Sequence, residues 1–415
     1  MKYDLLIKDG NVYPLNRILD MGIKDGKIVD LKQGLSPDEA ETVIDAKNCT
    51  ISPAFVDAHM HIDKALTADE DDTTDLLQAC IRADHKTHES YMGWDRQAIV
   101  DDIVERSSEI IKMCIANGTT AIKTHVLITP DIGFAALDAM DILKEKYKDY
   151  ITIKTVVPAY DDFLDEWKEY ARKGSIDCVG GYPNMEYNEA TGNLDYTLAF
   201  KKEVDKAFEL AKKYDLPVDL HCDESDSDNL SCFLYMIDQT YANQMQGRVT
   251  CSHVTGLGSK DIDEAYAADA IARAAKTCVN ITTMTSCNMY LMDIGRRGPT
   301  RVRQLLDCGI NVSIASDNIR DPFRPFGNAD LLEEGLLTAQ LHKFGTKNGL
   351  NKIAQMITIF PAANLNLPDY GILPGCNADV VVLDAPDMNE AILSQVKKSY
   401  VIKLGKVVAK DGNLV

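Results

Sequence analysis

Long apolar runs are missing from this chain. Across its 415 residues no stretch approaches the roughly 20 apolar residues that cross a bilayer as a helix. The opening MKYDLLIKDGNVYPLNRILD has neither the apolar core nor the small-residue cleavage site of a secretory leader, so a cytoplasmic location is expected. Positive charge is scarce too: 44 Lys and Arg stand against 64 Asp and Glu, a formal net charge of −20. Nucleic acids and anionic membranes both need clustered basic residues to displace counterions, so neither is an expected partner. A neutral or weakly basic small molecule suits an acidic protein better. The eleven cysteines show no paired C-x-x-C spacing and read as reduced core thiols. Low-complexity tracts and fixed-period repeats are absent as well, which leaves an ordinary soluble globular composition, 45% hydrophobic and 26% charged.

From Ile51 onward, short apolar or β-branched runs alternate with helix-period stretches. The runs are FVDAHMH, TTAIKTHV, ITIKTVVPA, DCVGGYP, PVDLHCDE, RVTCSHV, VNITTMTS and NVSIASDN. Between them lie patterns such as YTLAFKKEVDKAFELAKKYD, where Phe200, Val204, Phe208, Leu210 and Ala211 make an apolar stripe. Eight such alternations predict an α/β chain folded as a (β/α)8 TIM-type barrel, with its active site at the C-terminal strand ends. The flanks differ. DLLIKDGNVY and DMGIKDGKIVDL near the start, and ADVVVLDA and YVIKLGKVVAKDG near the end, read as strands joined by Asp-Gly turns. Residues 1–51 and 366–415 are therefore expected to build one small β-sandwich, with the barrel over residues 52–365.

Polar residues break the apolar pattern at the strand ends. His59 and His61 lie two apart on the first strand, hence on one face. His221 and Glu224 end the fifth strand, His253 the sixth and Asp317 the eighth. A barrel gathers these ends at one mouth. Imidazoles with a carboxylate suit one divalent ion, Zn²⁺ or Fe²⁺, whose water ionises near neutral pH. His125 ends the second strand and could line the pocket or support a ligand from behind. His85 and His88, in RADHKTHESY, read as a solvated helix face, and His342 as a surface residue on a late helix.

The stretches FVDAHMHIDKA, GTTAIKTHV, VDLHCDES, RVTCSHV, RRGPTRVRQLLDCGINVSIASDNIRDPF and NLPDYGILPGCNADVVVL together resemble the amidohydrolase superfamily, in its cytosine deaminase branch. That resemblance covers nearly the whole chain. It implies one metal held by His59, His61, His221 and Asp317, because the lysine that bridges two metals in binuclear members has no counterpart in CVGGYPN. It further implies that Glu224 shuttles protons to the ring nitrogen and the leaving group, while His253 and Asp317 orient and deprotonate the water. The zinc deaminase signature H-x-E with P-C-x-x-C does not occur.

Two positions depart from the cytosine enzymes. Their strand-three glutamine is replaced after Pro158 by Ala159 and Tyr160, and the acid after the strand-eight aspartate is replaced by Asn318. Tyr160 or Asn288 is the expected substitute reader of the ring, and Phe323 an aromatic wall. The expected reaction is hydrolytic deamination of a cyclic amidine or aminopyrimidine, cytosine or 5-methylcytosine foremost, with attack by a metal hydroxide and release of ammonia. Isocytosine, creatinine and aminotriazines share the scissile bond. The alternatives are an N-alkyl aminotriazine amidohydrolase of the isopropylammelide type, a ring-opening cyclic amidohydrolase and a catalytically silent barrel. A homo-oligomer is compatible with this size.

Overall fold

The structure, a computed structural model, describes residues 1–68, 75–183, 186–188, 193–195, 200–224, 230–292 and 298–415. Ser225, residues 196–199 and residues 296–297 of the quoted patterns lie outside the described residues, as does Asn184. Eight parallel strands follow one another in a single sheet: β1 (Phe55–Met60), β2 (Thr119–His125), β3 (Thr152–Pro158), β4 (Cys178–Gly180), β5 (Val218–Cys222), β6 (Val249–His253), β7 (Asn280–Thr283) and β8 (Val312–Ile314). The ring closes just past β8, where the Asp317 N–H donates to the His59 carbonyl at 2.9 Å and Met60 bridges Asp317. This is the expected (β/α)8 barrel. Residues of β1, β2, β5 and β6 are buried throughout, as strands covered on both faces require. Among the outer helices, Phe200–Tyr214 buries Phe200, Val204, Phe208, Leu210 and Ala211, together with Ala207. That is the stripe its spacing announces.

The two chain ends share a nine-stranded sheet with its own apolar core around Leu5, Ile7, Met21, Ile23, Val380 and Ile402. The halves join where Val380–Leu383 pairs antiparallel with Thr50–Pro53. The two N-terminal Asp-Gly pairs behave differently. Asp25 and Gly26 both take positive φ (50° and 74°) and turn Arg17–Lys24 into Lys27–Lys32, as a tight hairpin requires. Asp9-Gly10 is no turn. Strand Tyr3–Val12 runs straight through it with a register shift between Ile7 and Gly10, and a Cβ on Gly10 would lie 2.1 Å from Ile51 Cδ1. The glycine is there for close approach.

Three further expectations need correction. The seventh strand stops at Thr283, and Thr285–Tyr290 is helical. Met284, Cys287 and Leu291, three and four residues apart, pack with Leu76, Ala79 and Ala315, a helical stripe hidden by the β-branched threonines. Not every thiol is in the core: all eleven are free, six are buried, but Cys278 and Cys308 are exposed, because each caps a helix facing solvent. His342 caps helix Leu331–Leu341 and is half-buried rather than at the surface. Burial and then the Arg303 cation push its pKa down to about 4. The unfolded chain therefore binds a proton below pH ~6.5 that the folded chain refuses until about pH 4, and stability falls across that window. His342→Gln is expected to flatten the acid side of a pH series of urea midpoints, with the difference from the native chain vanishing above pH 7.

Candidate active site

Four strand ends deliver the site. His59 on β1 and His61 just beyond it bring their Nε2 atoms to 3.3 Å. Asp317 Oδ1 lies 3.7 Å from His59 Nε2 and 3.4 Å from His61 Nε2. The His221 ring stands 4.8 Å from that of His59. Opposite, His253 Nε2 lies 3.4 Å from Glu224 Oε2 and 3.9 Å from Asp317 Oδ2. All six side chains are buried. The backbone is bent to aim them: His253 (φ 69°) and Asp317 (φ 61°) take left-handed conformations, which cost energy for non-glycine residues and concentrate at functional sites.

Burial, and next the neighbouring His125 imidazole, hold His59 and His221 well below the usual histidine pKa; burial and then Lys64 do the same to His61. At neutral pH these rings are neutral and carry a lone pair, the form a metal requires. Hydrogen-bond direction fixes which nitrogen carries it. The carboxylate of Asp219, held down to about 2 chiefly by Lys123 against the opposing effect of burial, accepts the Ser252 hydroxyl at 2.7 Å. Ser252 Oγ has no second proton, so it accepts from His59 Nδ1–H at 3.1 Å, and the His59 lone pair sits on Nε2, facing His61 and Asp317. Asn288 Oδ1 likewise accepts from His253 Nδ1–H at 3.0 Å, which turns His253 Nε2 toward Glu224. Ser252→Ala should weaken Zn²⁺ binding by about 10- to 100-fold, the usual cost of losing an outer partner, read by competition with a chromophoric chelator.

The cluster fits a divalent ion. Among the described residues, both Asp317 carboxylate oxygens, His253 Nε2 and His221 Nδ1 are buried with no hydrogen-bond partner, a costly state unless something else satisfies them. Donor sets of His59, His61 and Asp317, of His59, His125 and His221, and of His221, Glu224 and His253 each gather within 4.8 Å. His125 lies against His59 with ring centres 3.9 Å apart and planes tilted by 32°, its Nε2 3.8 Å from Asp219 Oδ2, so it backs His59 from within the barrel.

The remaining expected residues fall in different places. Phe323 lines the chamber. Asn318 does too, with its amide donated to Asp321 Oδ2 at 2.5 Å. Tyr160 lines a larger cavity outside. Ala159 is buried at the end of β3, and Asn288 is turned to His253 rather than to the chamber. His85 and His88 lie exposed on helix Leu76–Tyr91, as expected. Three lining residues had no role assigned from sequence. Leu76 covers the chamber from that helix. Tyr182 stands past β4, its ring 4.3 Å from and tilted 34° to that of His221. Lys64 reaches over the Phe323 ring at 3.7 Å; its signal was its place directly behind the H-x-H pair.

A (β/α)8 barrel with neutral imidazoles and carboxylates converging at its C-terminal mouth is a frame for metal-assisted hydrolysis. Residues 136–409 match the Amidohydrolase family, and the chain belongs to it, a hydrolase acting on carbon–nitrogen bonds. It is 30% identical over 423 residues, covering 100% of this chain and 99% of the relative, to N-isopropylammelide isopropyl amidohydrolase of Pseudomonas sp. (strain ADP). It is 27% identical to pterin deaminase of Rhizobium rhizogenes, over 94% of this chain and 88% of the relative. The crystal structure of 5-methylcytosine deaminase from Klebsiella pneumoniae liganded with phosphonocytosine superposes with a TM-score of 0.85 at 25% identity, covering 98% of each chain. Among the described residues no helix is long and apolar enough to cross a membrane.

Proposed function

We propose that the protein hydrolyses an exocyclic C–N bond on an amino-oxo pyrimidine or triazine, releasing ammonia or an alkylamine, with one Zn²⁺ or Fe²⁺ held by His59, His61, His221 and Asp317. The observation that carries this is the convergence of Glu224 Oε2 and Asp317 Oδ2 on His253 Nε2, beside the three neutral imidazoles. A divalent ion there would make a water ionisable near neutral pH. His253 Nε2 and Asp317 Oδ2 would orient that water and draw its two protons in turn, and Glu224 Oε2 would relay them, the first to the adjacent ring nitrogen as the water oxygen bonds to the ring carbon and the second to the departing amine as the C–N bond breaks. The lack of a lysine in CVGGYPN supports one metal rather than two and speaks against ring opening. The eleven free thiols support a reducing, cytoplasmic location.

Lys64 narrows the substrate. An ammonium at the chamber edge favours a ring carbonyl or an acidic ring N–H over a basic ring, and it offers a donor where the strand-three glutamine is missing. This favours cytosine-type and ammelide-type rings over creatinine. The second reading, an N-alkyl aminotriazine, is supported by the 30% identical relative. The test is amine release by the metal-loaded protein from cytosine, 5-methylcytosine, isocytosine, creatinine, ammelide and N-isopropylammelide. Lys64→Met should lower kcat/KM on the favoured ring by about 10- to 100-fold, the worth of a charge-assisted hydrogen bond. An unchanged value removes Lys64 from the site.

A further inference from the structure

The chamber lined by His61, His221, Glu224, His253 and Asp317 has a volume near 40 Å³, room for about one water. Lys64, Tyr182 and Phe323 line it and also line a second cavity of about 590 Å³ between the barrel rim and helix Leu76–Tyr91. That volume lies within the range of small-molecule sites, roughly 300–1,000 Å³, and a bare six-membered ring would leave most of it wet. The cavity's outer wall is formed by Leu66, Ala83, Tyr91, Trp94, Ile103 and Ile132. Of its charged lining residues, Arg106, Asp102 and Asp63 are spent on the fold, while Lys64, Asp84 and Lys86 also border it. Arg106 donates to the Asp63 and Ala65 carbonyls at 2.9 and 2.8 Å, to the Tyr91 hydroxyl at 2.7 Å and to Asp102 at 2.8 Å, while Asp63 Oδ2 accepts the Leu127 N–H at 2.6 Å. Trp94 meets Tyr91 edge-to-face at 5.6 Å and is 48% exposed, an aromatic surface left open at the rim.

We infer that the substrate ring carries an uncharged, mainly apolar substituent larger than methyl, which leaves the ring between Phe323 and Tyr182 and lies in this cavity against Trp94 and Tyr91. The inference rests on the proposed C–N hydrolysis and extends it to the part of the substrate remote from the broken bond. Remote contacts of this kind raise kcat/KM by adding binding energy in the transition state.

The test compares kcat/KM for the panel ring turned over fastest and for its counterpart benzylated on a ring atom away from the departing amine, 5-benzylcytosine or ammelide benzylated on a ring nitrogen, in the native enzyme, Ala83→Phe and Trp94→Ala. Folding and metal content are checked for each protein. The native enzyme should favour the benzyl compound at least tenfold. Filling the cavity with Ala83→Phe should cut that preference at least tenfold, and Trp94→Ala should cut it several-fold. Equal rates on bare and benzyl rings, or a preference that neither variant moves, would overturn the substituent while leaving C–N hydrolysis in place. No amine from any panel ring or benzyl compound would overturn the hydrolysis and the substituent together.

Discussion

Glu224→Gln is expected to lower kcat by about 10²- to 10⁴-fold, the span of a positioned proton-transfer group, while metal content stays at the native level. Glu224 is buried beyond the end of β5, with Oε2 3.4 Å from His253 Nε2, close enough for both to meet one water. It is not among the four proposed ligands, so an isosteric amide keeps shape and metal while removing the proton carrier. The loss should appear equally in kcat and kcat/KM, because the group acts in the transition state rather than in ground-state binding. Metal content and amine release are measured on the same preparation. A variant that kept native kcat would assign the proton work elsewhere and return Glu224 to a structural role.

Asp317→Asn should weaken metal binding by more than the roughly 10- to 100-fold that an outer partner is worth, with activity lost in proportion. The barrel seam survives this substitution, because it is the Asp317 backbone N–H that bonds the His59 carbonyl at 2.9 Å. Asp57 adds a second tie, accepting the Ser316 N–H on both carboxylate oxygens at 3.2 Å. What is removed is one negative charge between His59, His61 and His253, where two oxygens stand buried and unpartnered. Native metal affinity in the variant would mean that the ion sits in another donor set, such as His59, His125 and His221.

The strand order was legible because parallel strands covered on both faces read as unbroken apolar runs, and the polar residues that interrupt them at their C-terminal ends stood out for that reason. His59, His61, His221, Glu224, His253 and Asp317 are of this kind, and the structure brings them into one buried cluster. Residues carried by loops and helices were harder to read. The helix carrying Asn288 was hidden because Thr282, Thr283 and Thr285 favour strand while packing selects a helix, so Asn288, expected to read the ring, is found orienting His253 instead. The left-handed bends at His253 and Asp317 are set by the tertiary fold, not by local preference. Lys123 looked like an ordinary strand residue, yet it is buried with its Nζ 2.5 Å from Asp219 Oδ2, the far end of the chain of contacts that sets the His59 lone pair. Tyr182 carries no pattern of its own and Lys64 only its place behind the H-x-H pair; geometry turns both into the chamber. Gly10 shows the converse error, a strong turn dipeptide used as a bulge.

The most direct measurement is metal stoichiometry alongside amine release. The protein is stripped with a chelator, titrated with Zn²⁺ or Fe²⁺, and assayed on the panel rings at each step. Activity that rises from zero and levels off at one ion per chain is the predicted result. Amine release by the fully stripped protein, or a second ion required for turnover, would contradict a mononuclear metal-dependent C–N hydrolase.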